Sequence, residues 1–81
     1  MNVHVVVFAR VKELMGAERI ELVLAENATV ASLKKELLKR HPELSDLLPH
    51  CAISIDHEYS QDDSTLVDGC EVGVIPPVSG G

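Results

Sequence analysis

Apolar positions recur along this chain with two different periods, and the changes of period mark its elements. Val3, Val5 and Val7 share one parity, and Val6 and Phe8 share the other. A β-branched run of this kind predicts a strand over residues 3–9 buried or contacted on both faces. Residues 12–17 predict a turn, in which Gly16 supplies a positive φ. Residues 19–24 alternate polar and apolar at first, as a half-buried strand does. Two strands joined this closely predict a hairpin.

The period then lengthens. Val30, Leu33 and Leu37, with Leu38 or His41, recur at helical spacing, while Lys34, Lys35, Lys39 and Arg40 fall on the opposite face. Thr29 stands where an N-cap is needed. The cations gather toward the end where the helix dipole favours them, and Pro42 ends the helix. Residues 42–49 read as a connector with a short helical turn at 44–48. Residues 52–55 alternate as a strand. Residues 56–59 reverse into another short one, and 60–65 form a polar, acidic surface loop. Asp68-Gly69 marks a turn before a last strand at 71–75.

A hairpin, a helix, short strands and a final strand define an α+β chain. The helix has only the sheet on which to bury its stripe. With the last strand beside the first, the arrangement is a β-grasp (ubiquitin-like) fold, a mixed sheet on one main helix. Residues 1–75 form this domain, and residues 76–81 form a flexible C-terminal tail. There is no internal repeat.

Composition narrows the classes of function. Eighty-one residues give one domain that buries about 60–65% of its unfolded surface, too little for a deep cleft beside a cofactor domain. Phe8 and Tyr59 are the only aromatic residues, so the core is aliphatic. A net charge of -6 disfavours nucleic acid and anionic membranes as partners. Cys51 and Cys70 form no C-x-x-C pair and suit a reducing compartment. No signal peptide or spanning segment is visible, which points to the cytoplasm. His4, His41, His50 and His57 lack zinc spacing, and Asp62-Asp63 lack a calcium motif, so no metal site is expected. Nor is there a phosphate-binding glycine loop or a nucleophile–base pair.

The chemistry concentrates at the end of the sequence, Pro76-Pro77-Val78-Ser79-Gly80-Gly81. The prolines cannot continue a ladder and favour an extended path away from the sheet. Six residues reach roughly 20 Å, enough to enter another protein's active site. Gly80 and Gly81 have no side chains and fit a narrow channel. A terminal carboxylate, with a pKa of about 3.3–3.7, is an anion and a poor electrophile. Reaction at that carbon requires activation, for example as an acyl-adenylate.

Several stretches carry a family likeness. Phe8-Ala9-Arg10-Val11-Lys12-Glu13-Leu14 leaves the first strand, Thr29-Val30 opens the helix, and Leu66-Val67-Asp68-Gly69 precedes the last strand. Val74-Ile75-Pro76-Pro77-Val78-Ser79-Gly80-Gly81 closes the sequence. On these the chain resembles the molybdopterin synthase small-subunit family of sulfur carriers along essentially its whole length. Cys70 stands where that family often has an acidic residue, and Asp56 where Asn is common.

The resemblance implies a mechanism. A ubiquitin-activating-type adenylating enzyme spends ATP to adenylate Gly81, and a sulfurtransferase persulfide converts it to a thiocarboxylate. The loaded tail enters the synthase large subunit, in a heterotetramer, and donates sulfur to cyclic pyranopterin monophosphate in molybdenum cofactor biosynthesis. The chain itself would be a non-catalytic sulfur-donor subunit without a bound cofactor. A ubiquitin-like protein modifier is the alternative, as is a carrier for thiamine, tungsten-pterin or tRNA thiolation. Parity places Phe8 and Ile75 on the sheet face opposite the helix, as an exposed patch for a partner. Arg10 and Lys12 are candidates to meet acidic groups on it.

Overall fold

The computed structural model describes residues 1–77. In chain order the elements are β1 (Asn2–Val7), α1 (Ala9–Met15), β2 (Arg19–Val23) and α2 (Val30–Arg40). Two 3₁₀ turns follow at Pro42–Leu44 and Leu48–His50, and then β3 (Ala52–Ile55), β4 (Glu58–Tyr59) and β5 (Glu71–Ile75). The sheet order is β2-β1-β5-β3-β4. β5 runs parallel to β1 and antiparallel to β3, and β1 pairs antiparallel with β2. This is the mixed β-grasp sheet expected from the pattern.

Alternation decides the core. Val3, Val5 and Val7 are buried, as are Leu22 on β2 and Val72 and Val74 on β5. Against them lie Val30, Leu33 and Leu37, the apolar stripe of α2. Each such side chain contributes about 1.5–3 kcal/mol on full burial. Leu44 and Leu48, from the two 3₁₀ turns, close one end of the core. The connector is thus two short turns, each with a proline in its first turn, where its missing N–H costs nothing.

α2 begins as its sequence implies. The Thr29 hydroxyl accepts from the Ser32 N–H, and the Ser32 side chain takes the Thr29 N–H in return, a capping box. The next orphan donors go to the acidic loop. Val30 N–H donates to the Ser64 carbonyl and Ala31 N–H to the Asp62 carbonyl, while Lys34 Nζ lies 2.7 Å from Asp62 Oδ1. Residues 60–65 are therefore fastened to the start of α2.

Two expectations need correction. β1 ends at Val7, and Ala9 belongs to α1, so the β1–β2 connection is a two-turn helix and not a tight hairpin turn. Its first turn carries no acidic residue and Phe8 gives no side-chain cap, so the usual start signals are missing. Its stop signal is present: Gly16 has φ 70° and donates its N–H to the Lys12 carbonyl. Secondly, β1 is not buried on both faces. Its pattern is buried on one side and half-open on the other, because the helices cover only one face of the sheet.

Two turns bring the later strands into line. Asp56 (φ 48°) and His57 (φ 72°) form the two-residue bend between β3 and β4, a position that Asn and Asp tolerate best. Gly69 at φ 81° turns the chain into β5, and Asp68 Oδ1 accepts from the Asn2 N–H, tying that turn to the start of β1.

Candidate functional site

β5 occupies the middle of the sheet, so its exit is defined by neighbours on both sides. Its last ladder residue, Ile75, pairs with Ala52 of β3. On the other side Val74 pairs with Val7 of β1, which puts Phe8 next to Ile75 as the two parallel strands end. Pro76 and Pro77 follow and offer no N–H to extend the ladder. Val78, Ser79, Gly80 and Gly81 lie outside the described residues.

Phe8 keeps 45% of its surface exposed. Both Phe8 and Ile75 line one groove on the open face, together with Val6, Ser54 and Tyr59. The cross-strand register explains this grouping: Val6, Gly73, Ser54 and Tyr59 form a single row from β1 to β4. Tyr59, a large aromatic residue 78% exposed, thus shares the face with Phe8. The chain's two aromatic residues sit on this side, not in the core.

The basic residues divide. Lys12 lines a second depression with Phe8 and Arg19. Arg10 lines a separate one with Leu14, Glu43 and Asp46. Both cations have internal partners, Arg10 Nη1 at 3.2 Å from Glu13 Oε2 and Lys12 Nζ at 2.7 Å from Glu18 Oε1. The Lys12 ammonium holds the Glu18 carboxyl below the usual carboxylate range. Exposed pairs of this kind are worth about 0–1 kcal/mol, so either cation can exchange its partner. At the rim of the face, Glu71 lies 3.4 Å from His57 Nε2 and 3.8 Å from Arg19 Nη1.

Neither thiol is arranged for nucleophilic work. Cys51 and Cys70 are free and buried, and burial pushes the Cys51 thiol's pKa up, which keeps it protonated. Among the described residues no group of three or more His, Cys, Asp or Glu side chains is placed to hold a metal ion. No described helix is long and apolar enough to cross a membrane.

Periodicity located Phe8 and Ile75 but passed over Tyr59, Ser54 and Gly73. Tyr59 could have been found from its type alone, as an aromatic residue in a strand too short to enter a core. Ser54 and Gly73 join the face only through the pairing of β5 with β3.

The ThiS family model matches residues 5–81 of this chain. The molybdopterin synthase sulfur carrier subunit of Chlamydomonas reinhardtii is 34% identical over 83 residues, covering all of both chains. Among solved structures, a putative molybdopterin converting factor subunit 1 from Pyrococcus furiosus is 34% identical, with a TM-score of 0.89 over 96% of this chain and 99% of that one. SAMP1 from Haloferax volcanii superposes with a TM-score of 0.90 at 25% identity over the whole of both chains. The complex of subunits 1 and 2 of the molybdopterin-converting factor from Helicobacter pylori gives 0.73 at 26% identity, again over the whole of both chains.

Proposed function

The chain belongs to the ThiS family, and from that premise we propose that it is the sulfur carrier subunit of a molybdopterin synthase. The observation that carries the reading is the full-length match to proteins of that name, joined to a central strand that ends at Ile75 beside an exposed Phe8 and a sequence that closes in Gly80-Gly81.

In this reading the reacting group is the Gly81 carboxylate. A carboxylate resists nucleophiles because attack would place a second negative charge on it. An adenylating enzyme removes that obstacle by transferring AMP from ATP and releasing pyrophosphate. The outer sulfur of a persulfide then displaces AMP to form an acyl disulfide, and a second thiol of the donor cleaves its S–S bond, leaving the thiocarboxylate on Gly81 and a disulfide on the donor. Gly80, Ser79 and Val78 serve as the slender approach to the partner's catalytic site, and Pro76 and Pro77 direct that approach. The large subunit supplies the pterin pocket and accepts sulfur onto cyclic pyranopterin monophosphate. The solved complex of two such subunits from Helicobacter pylori supports a large-subunit partner. Phe8 and Ile75 make the contact nearest the tail, with Lys12 beside Phe8 and Arg10 in a separate depression.

Intact mass of the chain after incubation with its adenylating enzyme, ATP and a persulfide donor tests the chemistry. Exchange of one oxygen for sulfur at Gly81 is expected. An unchanged mass under conditions that load an authentic carrier would refute it. The likeness to SAMP1, which belongs to the small archaeal modifier proteins, favours a second reading in which the activated Gly81 forms an isopeptide bond with a lysine. Conjugates lost on deletion of Gly81 would select that reading.

A further inference from the structure

Gly73 stands in the middle of a strand, where glycine costs roughly 0.5–1 kcal/mol relative to alanine. Its backbone is extended, so no positive φ calls for glycine there. The reason lies above it. A Cβ at this position would come within 2.5 Å of Ser54 Oγ, and Phe8 Cε2 sits 3.7 Å from the same point. Ser54 is the one buried polar residue among the described residues, although it belongs to the open face. Gly73 itself is buried on that face.

These facts describe a notch. Val6 on one side and Ser54 on the other flank the gap left by the missing side chain. The Phe8 ring reaches back across it from the end of β1. One part of the ring is thereby fixed against the sheet while 45% stays exposed. We propose that Gly73 is a positioning residue for partner recognition: it seats the Phe8 ring so that a fixed aromatic surface is presented beside Ile75, where the chain leaves toward its tail. An aromatic side chain already held in its bound orientation loses less conformational entropy on association than a free one. This inference rests on the reading of the chain as a carrier that docks on a synthase large subunit.

The decisive variant is Gly73→Val. Any side chain here must push the buried Ser54 Oγ aside, since its Cβ would lie 2.5 Å from that atom, so a purely structural role for Gly73 predicts a lower thermal midpoint with the affinity of the folded chain for the large subunit unchanged. The positioning role predicts, in the folded chain, a loss of affinity for the large subunit of about fivefold to thirtyfold, as for the Phe8 ring removed. Phe8 is the only phenylalanine, so ring-fluorinated phenylalanine gives a single fluorine signal. That signal should move toward its solvent-exposed position in Gly73→Val. Phe8→Ala added to Gly73→Val should cost no further affinity, since the ring is already displaced. The milder Gly73→Ala, which meets Ser54 Oγ first, should be rescued by Ser54→Ala. A fluorine signal that stays in place, or a Gly73→Val chain that binds as tightly as the parent, would overturn the proposal. If the parent chain itself fails to bind the large subunit, it is the carrier assignment that fails.

Discussion

Replacing Phe8 by alanine should weaken docking more selectively than it weakens the fold. Full burial of a phenylalanine side chain is worth about 1.5–3 kcal/mol, and Phe8 is 45% exposed in the free chain. Roughly half of that value is therefore realised on folding, so Phe8→Ala should lower unfolding stability by about 0.8–1.5 kcal/mol. A domain of this size has about 4–12 kcal/mol in hand, and the variant stays folded. The other half is available only in a complex. By area it amounts to about 1 kcal/mol, a factor of about five in Kd. If the ring fills a dry, central pocket, the cost rises to about 2 kcal/mol, or some thirtyfold. Urea unfolding gives the first quantity, and isothermal titration against the large subunit gives the second. Unchanged affinity in a folded Phe8→Ala variant would refute the assignment of this face to the partner.

Leu33 is fully buried between α2 and the sheet, and Leu33→Ala should cost about 2–5 kcal/mol in urea unfolding. Thr29→Ala removes one half of the capping box and should lower stability by about 0.5–2 kcal/mol, readable as a drop in the thermal midpoint. The Cys51 thiol has its pKa raised by burial. The native state therefore holds that proton more tightly than the unfolded chain does. Its contribution to stability is complete below the ordinary thiol pKa of about 8.5 and is lost as pH rises toward the raised value. Unfolding midpoints measured across alkaline pH should fall for the parent chain and fall less for Cys51→Val.

Much of this was readable because the core is regular. Val3, Val5 and Val7, Val72 and Val74, and the Val30–Leu33–Leu37 stripe each follow the period of their element, and a sheet covered on one face leaves few other arrangements. The parity that buries Val7 also exposes Phe8, so the open Phe8–Ile75 face was legible to the same degree as β1 and β5. What escaped depends on contacts remote in sequence. α1 has seven residues, too few to show a period, and it opens at Ala9 with φ 49°, against the local preference of alanine. Its tie to Glu18 through Lys12 is invisible until β2 folds back. The grouping of Gly73 with Ser54 and Tyr59 requires the order β5-β3-β4, in which only the β3–β4 step comes from a local bend, at Asp56-His57. Gly73 read by itself is only a weak point in a strand, and the nearness of Ser54 Oγ, 2.5 Å from where a Cβ would stand, gives it a reason.

The central claim is that Gly81 carries the transferable group. Its most direct test is sulfur transfer by a chain bearing one extra residue after Gly81, compared with the parent in the same assay with the adenylating enzyme, ATP, a persulfide donor and the large subunit. The parent should acquire sulfur and convert cyclic pyranopterin monophosphate. The extended chain should keep the same unfolding curve, since the last strand ends at Ile75, and transfer none. Sulfur transfer at the parental rate by the extended chain would contradict a mechanism centred on the Gly81 carboxylate.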